Sequence, residues 1–198
     1  MRKSKKRTLL WFAAVLIVAG AGRTLLAFKG GLFQSHRDIG ITPKKGRVKY
    51  NGKSRAYTVT GGGANMWAKA DAFQFVYKQI SGDVTFTADV HFLGAGVEQH
   101  RKAALMFRQT LDPDSAYADV ALHGDGLTSL QYREMAGDVT KEMRSDVKAP
   151  GTLRIERRGN QFTISEGKEG EAAKTTGPVT LELKDPVFIG LAVCSHNA

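Results

Sequence analysis

From residue 31 onward, apolar and polar residues alternate in short runs, and clusters of Gly, Asp and Asn separate the runs at fairly even spacing. Alternation with period two puts successive side chains on opposite faces of a strand, and many short strands joined by turns belong to a β-sandwich or barrel. The runs predict strands over 47–50, 56–60, 73–79, 83–92, 102–109, 116–122, 128–134, 140–144, 151–157, 161–166, 179–183 and 187–195. Gly159-Asn160 predicts a two-residue hairpin turn, because both residues tolerate positive φ; 61–63 and 94–96 predict loops. There is no long helical periodicity, internal repeat or low-complexity tract in this region. The expectation is one all-β domain, a two-sheet antiparallel β-sandwich.

The alternation also assigns faces. Leu105 and Phe107 point one way, Met106 and Arg108 the other. Leu130 and Tyr132 face the core, while Ser129, Gln131 and Arg133 share the opposite face. Ile189, Leu191 and Val193 oppose Gly190, Ala192, Cys194 and His196. One sheet is therefore expected to carry Arg108, Gln131, Arg133 and His196 on a polar, concave outer face. Such a face is either the solvated side that an antiparallel sandwich needs or a shallow ligand groove.

The first 30 residues differ in kind. A basic stretch through Arg7 precedes an apolar run from Thr8 to Gly22, too short for an ordinary membrane span of roughly 20 residues. Residues 1–30 thus read as a signal peptide, with small residues at 19–22 for cleavage, or as an uncleaved anchor helix continued by Leu25 to Phe28; the short apolar run favours the signal. Under either reading the body, residues 31–198, is expected outside the cytoplasm: periplasmic, secreted or membrane-anchored. The segment also accounts for the charge. The chain carries +10, but seven of its 29 Lys and Arg lie in these 30 residues, which hold no acid, so the body has 22 basic against 19 acidic residues. That mixed balance argues against a nucleic-acid binder, which would need a basic stripe with interleaved aromatics. Cys194 is the single cysteine, so the body folds without an intramolecular disulfide.

No catalytic constellation stands out. A jelly-roll hydrolase places alternating acids along one strand, and none does here; Glu166, Glu169 and Glu171 are expected as solvated charges in a Gly-rich hairpin. Cys194 and His196 lack an orienting acid nearby in sequence, so Cys194 reads as packing. Asp112-Pro-Asp-Ser115 and His123-Gly-Asp-Gly126 are oxygen-rich, yet turns use the same residues for backbone reasons, so no cofactor is expected and structural calcium is a minor alternative. Glycan binding would draw on an aromatic platform beside planar hydrogen-bonding groups, with Trp67 the aromatic and Arg108, Asp119, Gln131, Arg133 and His196 the polar set. The plainer reading has Trp67 at the core edge and Arg108 paired with Asp119 across adjacent strands.

Several motifs in order, Met66-Trp67, Asp71-Ala-Phe-Gln-Phe-Val-Tyr77, Ser81-Gly-Asp83, Arg101-Lys-Ala-Ala-Leu-Met-Phe-Arg108, Leu111-Asp-Pro-Asp-Ser115, Gln131-Tyr-Arg133 and Gly190-Leu-Ala-Val-Cys-Ser-His-Asn197, resemble a concanavalin A-like jelly-roll domain family of unknown function. That family includes regulation-of-enolase-like proteins and the leading domain of exported Tol-type β-propeller proteins. The resemblance implies a two-sheet jelly roll outside the cytoplasm and no established activity. It also implies one further strand after Ser-His-Asn, without which an edge or part of the core stays uncovered. The expected function is a non-catalytic binding module for a carbohydrate. The alternatives are an assembly domain that meets an envelope protein and, less favoured, a glycoside hydrolase.

Overall fold

The computed structural model describes residues 9–17, 31–94, 96, 98–168 and 171–197. Most of the expected signal or anchor helix, 1–8 and 18–30, lies outside the described residues. Within them the chain is all β, with two seven-stranded sheets. The strands are β1 (Leu9–Ile17), β2 (Ser35–Ile39), β3 (Arg47–Asn51), β4 (Ala56–Thr60), β5 (Met66–Trp67), β6 (Ala70–Asp71), β7 (Phe73–Ile80), β8 (Val84–Leu93), β9 (Lys102–Arg108), β10 (Tyr117–His123), β11 (Thr128–Arg133), β12 (Lys141–Arg144), β13 (Thr152–Arg158), β14 (Gln161–Gly167), β15 (Lys174–Thr180) and β16 (Val187–Cys194). The first sheet runs β15-β14-β13-β8-β1-β4-β3 and the second β12-β11-β10-β9-β16-β7-β2, with β5 and β6 a separate hairpin. Every strand pairing is antiparallel.

The main core joins Tyr57, Phe86, Val90, Ile155 and Phe162 of the first sheet to Leu105, Phe107, Val120, Leu130, Ile189 and Leu191 of the second. Each such side chain contributes roughly 1.5–3 kcal/mol on burial, enough together to hold the sheets face to face without a disulfide. The inward set on β9, β11 and β16 is the one that alternation assigns. Gly190 on β16 allows the close approach of β7, since a Cβ there would stand 2.1 Å from the Val76 carbonyl oxygen.

Leu9–Ile17 pairs with both β8 and β4 in the first sheet. At three places the structure departs from the sequence expectation. The strand expected at 179–183 lies earlier, at Lys174–Thr180; it is an edge strand, where Pro178 costs no ladder hydrogen bond on the solvent side. Leu181 and Leu183 still reach the core, but from irregular backbone, so their alternation imitates a strand. Ser35–Ile39 escapes the pattern because only Ile39 of its five residues is buried. Glu166, expected in solvent, is buried on the inward side of β14 with Phe162 and Ile164; burial raises its pKa, and Thr176 donates a hydrogen bond to it at 3.2 Å.

The Gly159-Asn160 hairpin forms as expected, joining Arg158 and Gln161 as a cross-strand pair; Gly159 takes φ +55°.

Candidate binding face on the second sheet

Register sorts the outer face of the second sheet into rows. Ala192, Ala104, Ala121 and Ser129 lie side by side across β16, β9, β10 and β11. One flanking row carries Gly190, Met106, Asp119, Gln131 and Glu142, the last on β12. The other carries Cys194, Lys102 and His123. A fourth row, beyond Asp119, holds Phe188, Arg108, Tyr117 and Arg133. Small side chains thus make a low floor between two polar ridges.

This face is not open to solvent. All seven residues of β9 and all seven of β10 are buried, so both sides of these strands are covered. The cover is the β5–β6 hairpin, whose Met66 joins an apolar cluster with Ala104, Met106, Tyr117, Ala121, Ala192 and Cys194. The hairpin is approached through Gly63, whose φ of +109° and closeness to the Ala72 carbonyl (1.9 Å from where a Cβ would stand) admit only glycine.

Asp71, at the end of β6, latches the cover down. The Arg133 guanidinium donates to Asp71 Oδ1 at 2.8 Å and Oδ2 at 2.9 Å, a two-pronged pair with no exposed side-chain surface. Arg133 also donates to the carbonyls of Ala68 (3.0 Å), Ser115 (3.0 Å) and Asp138 (2.9 Å) and lies 5.0 Å over the Tyr117 ring. Arg108 stands 3.6 Å from Asp71 Oδ2, donates to the Thr110 carbonyl at 2.7 Å and to that of Asp112, and lies over Phe73. Burial pushes the Asp71 carboxyl above its ordinary pKa, against the Arg133 bond and the Arg108 charge. Every N–H of Arg133 is taken up by the protein itself, whereas Arg108 turns its remaining nitrogen to the Met106 sulfur at 3.7 Å.

The groups left incompletely satisfied lie in the next rows. Asp119 is fully buried, and neither carboxyl oxygen has a hydrogen-bond partner; Gln131 Oε1 has none either. Burial raises the Asp119 pKa well above its ordinary value, with the Lys102 charge opposing. Lys102 is also buried, which lowers its pKa; its ammonium donates to Asn65 Oδ1 at 2.7 Å and to the Met66 carbonyl at 3.1 Å, and stands 5.3 Å from the Trp67 ring centroid. His123 is pushed down to about 4 by burial and by Lys102, so its ring is neutral at pH 7: Nδ1 donates to the Leu127 carbonyl at 3.1 Å and Nε2 is 3.4 Å from the Gln131 amide nitrogen. Partial burial would raise Glu142, but hydrogen bonds from Arg144, Ser129 and Gln131 outweigh it and hold the carboxylate below its ordinary pKa. Two carboxyls flanking Gln131 on neighbouring strands are thereby driven in opposite directions.

The six residues expected as a ligand set divide accordingly. Arg108 and Arg133 form the latch with Asp71, and Arg108 pairs with that residue rather than with Asp119. Asp119 and Gln131 stand side by side under the cover. Trp67 is half-buried on the hairpin above Lys102. His196 lies beyond the end of β16 at φ +56°, so strand alternation no longer governs it. Its Nε2 still reaches Asn65 Nδ2 at 3.2 Å, its Nδ1 is 3.8 Å from Glu98, and its ring is 5.3 Å from that of His100. Sequence reasoning placed Ser129 on this face and His123 in a turn without assigning either to the set, and missed Lys102 and Glu142, which extending the alternation across registered neighbours would have found. It also missed Asn65 and the latching role of Asp71, which sit in a short hairpin without periodicity.

Cys194 is buried, its thiol pushed up to about 11 by burial, and donates to the Gly63 carbonyl at 3.3 Å, which anchors the start of the cover. The oxygen-rich loops are turns: Ser115 N–H bonds the Asp112 carbonyl at 3.1 Å, and Leu127 N–H bonds Asp125 Oδ1 at 3.0 Å. Among the described residues, no three or more His, Cys, Asp or Glu side chains are grouped to hold a metal ion. Compared with family models, characterised proteins and solved structures, the chain matches none.

Proposed function

We propose that this chain is an extracytoplasmic, non-catalytic binding module of concanavalin A-like jelly-roll type that takes a polyhydroxylated ligand, a glycan, on the outer face of its second sheet. The observation that carries the reading is the pair Asp119 and Gln131, whose buried oxygens lack partners beside an alanine floor. A buried polar atom without a partner costs roughly 1–3 kcal/mol, and ligand hydroxyl groups donating to it would recover that. Trp67 supplies an aromatic face at the rim, with the Lys102 ammonium 5.3 Å from its ring centroid. For a ligand to reach Asp119, Met66 must leave the alanine row that it covers. A second reading is a glycoside hydrolase, because Asp119 and Glu142 flank Gln131 on neighbouring strands and their pKa values are driven apart, the first raised by burial and the second lowered, against its partial burial, by its hydrogen bonds.

The test is a glycan array with the full chain, with and without calcium, followed by titration of any hit. Binding that falls at least tenfold in both Trp67→Ala and Asp119→Asn, with melting preserved, supports the module. A folded protein that binds nothing, or binding that survives both substitutions, overturns it. Turnover of the bound glycan that stops in Asp119→Asn or Glu142→Gln would select the hydrolase.

A further inference from the structure

The first sheet holds a strand at odds with its surroundings. β1 pairs with β8 from Leu9↔Leu93 to Ile17↔Thr85 and with β4 from Leu9↔Thr60 to Ala13↔Ala56, antiparallel to both. In that register Leu10, Phe12, Ala14 and Leu16 fall opposite residues that join the core: Val59 and Phe92, Tyr57 and Val90, Ala88, and Phe86. The intervening row is different. Leu9 falls opposite Thr60 and Leu93, Trp11 opposite Thr58 and His91, Ala13 opposite Ala56 and Asp89, Val15 opposite Thr87 and Ile17 opposite Thr85; apart from Leu93 and Ala56 these neighbours are polar and partly or wholly exposed. A sheet with one solvated face asks for polar residues along such a row. Every residue of β1 is apolar.

We propose that the gap between β4 and β8 is an acceptor slot for an alternating apolar–polar strand of another polypeptide, with Leu9–Ile17 a stand-in occupant. Without β1 the first sheet separates into β15-β14-β13-β8 and the β3–β4 hairpin, leaving two facing edges. Their inward residues, Tyr57 and Val59 on one side and Val84, Phe86, Ala88 and Val90 on the other, are buried. Strands on either side of a missing one stand about 9.5 Å apart, the width of one added strand, and such edges accept strands by main-chain hydrogen bonding. The occupant is about nine residues long and runs antiparallel to both neighbours. It has apolar side chains opposite Val59, Tyr57, Ala88 and Phe86 and polar ones opposite Thr58, Asp89, Thr87 and Thr85. The slot lies on the sheet opposite the candidate glycan face and does not depend on it. It leans on the export reading only for why β1 would leave: a segment drawn into or cut off at a membrane cannot also lie in a sheet.

The experiment uses the full chain with its own strand disabled by Phe12→Asp and Leu16→Asp. The probe is a nine-residue peptide that keeps leucine, phenylalanine, alanine and leucine at its second, fourth, sixth and eighth positions, those registered opposite core residues, with threonine at the other five. Melting of the variant is expected to fall. The peptide, at a hundredfold excess over its Kd, is expected to restore about 5–10 °C and to co-elute one per chain. The same peptide with proline in place of phenylalanine is expected to do neither. Melting unchanged in the variant, no rescue by the peptide, or equal rescue by the proline peptide would each overturn the slot. N-terminal sequencing of the exported protein tests the export reading separately.

Discussion

Arg133→Ala is the sharpest perturbation of the latch. It deletes a guanidinium with no exposed surface and strands both Asp71 oxygens, together with the carbonyls of Ala68, Ser115 and Asp138. Removing one partner of a buried ion pair costs about 3–5 kcal/mol, because the other charge stays uncompensated. Arg108, 3.6 Å from Asp71, retains part of the compensation, which argues for the lower end, about 3 kcal/mol. At roughly 2–4 °C per kcal/mol for a chain of this size, the melting temperature should drop by about 6–12 °C. Thermal denaturation followed by circular dichroism measures it, with Arg133→Lys as a comparison, since a lysine keeps the charge but cannot grip both oxygens. In an Asp71→Asn background the same deletion should cost at least about 1 kcal/mol less, because the two side chains act as a unit. A variant that melts within 2 °C of wild type would refute the latch. It would return Arg133 to the role that strand alternation suggests, a ligand contact on an open face.

Asp119→Asn should flatten the dependence of stability on pH. Burial raises the Asp119 pKa, so the folded state holds a proton that the unfolded chain releases, and stability falls as pH rises from the unfolded value near 4 towards the raised one. The slope reaches about 1.4 kcal/mol per pH unit. Urea unfolding at pH 4 and pH 7 should therefore show a larger loss for wild type than for the variant, and equal losses would contradict the assignment. Gly63→Ala should destabilise by about 1–3 kcal/mol, since it combines a left-handed φ with a Cβ 1.9 Å from the Ala72 carbonyl; unchanged melting would mean that the hairpin is entered differently. Cys194, with its thiol held near 11, should resist a thiol reagent at pH 8 in the native protein and react at once in denaturant. Labelling of the native chain within minutes would show that the cover opens readily.

Much of this architecture is legible in the chain because one side of each central strand obeys a simple rule. Leu105 and Phe107, Leu130, and Ile189 and Leu191 are apolar at every second position, and those positions meet the other sheet. The outer face of β9 and β10 is not legible in the same way. Arg108 reads as a surface residue because a charge is ordinarily solvated, and its counter-charge sits on a two-residue strand far away in sequence. The same holds for Arg133, whose partner Asp71 is 62 residues away. Alternation brings Asp119 and Gln131 to one outer face, but whether that face meets water or a folded-back hairpin depends on Gly63, Met66 and Asp71. Their effect is tertiary rather than periodic. Leu9–Ile17 carries no alternation at all, so nothing in its own pattern announces a sheet position.

The latch has a consequence for the order in which the molecule assembles. The hairpin at 65–71 docks on strands that must first pair with one another, β10 with β9 and β11, and its anchoring bonds span more than 60 residues. Contacts that close so long a loop bring their loss of chain entropy with them and form late. Arg133 and Asp71 should consequently be unformed when the folding barrier is crossed, so their substitution would hasten unfolding while leaving refolding close to its original rate. The native fold would then owe its lifetime, more than its birth, to a single carboxylate gripped between two arginines.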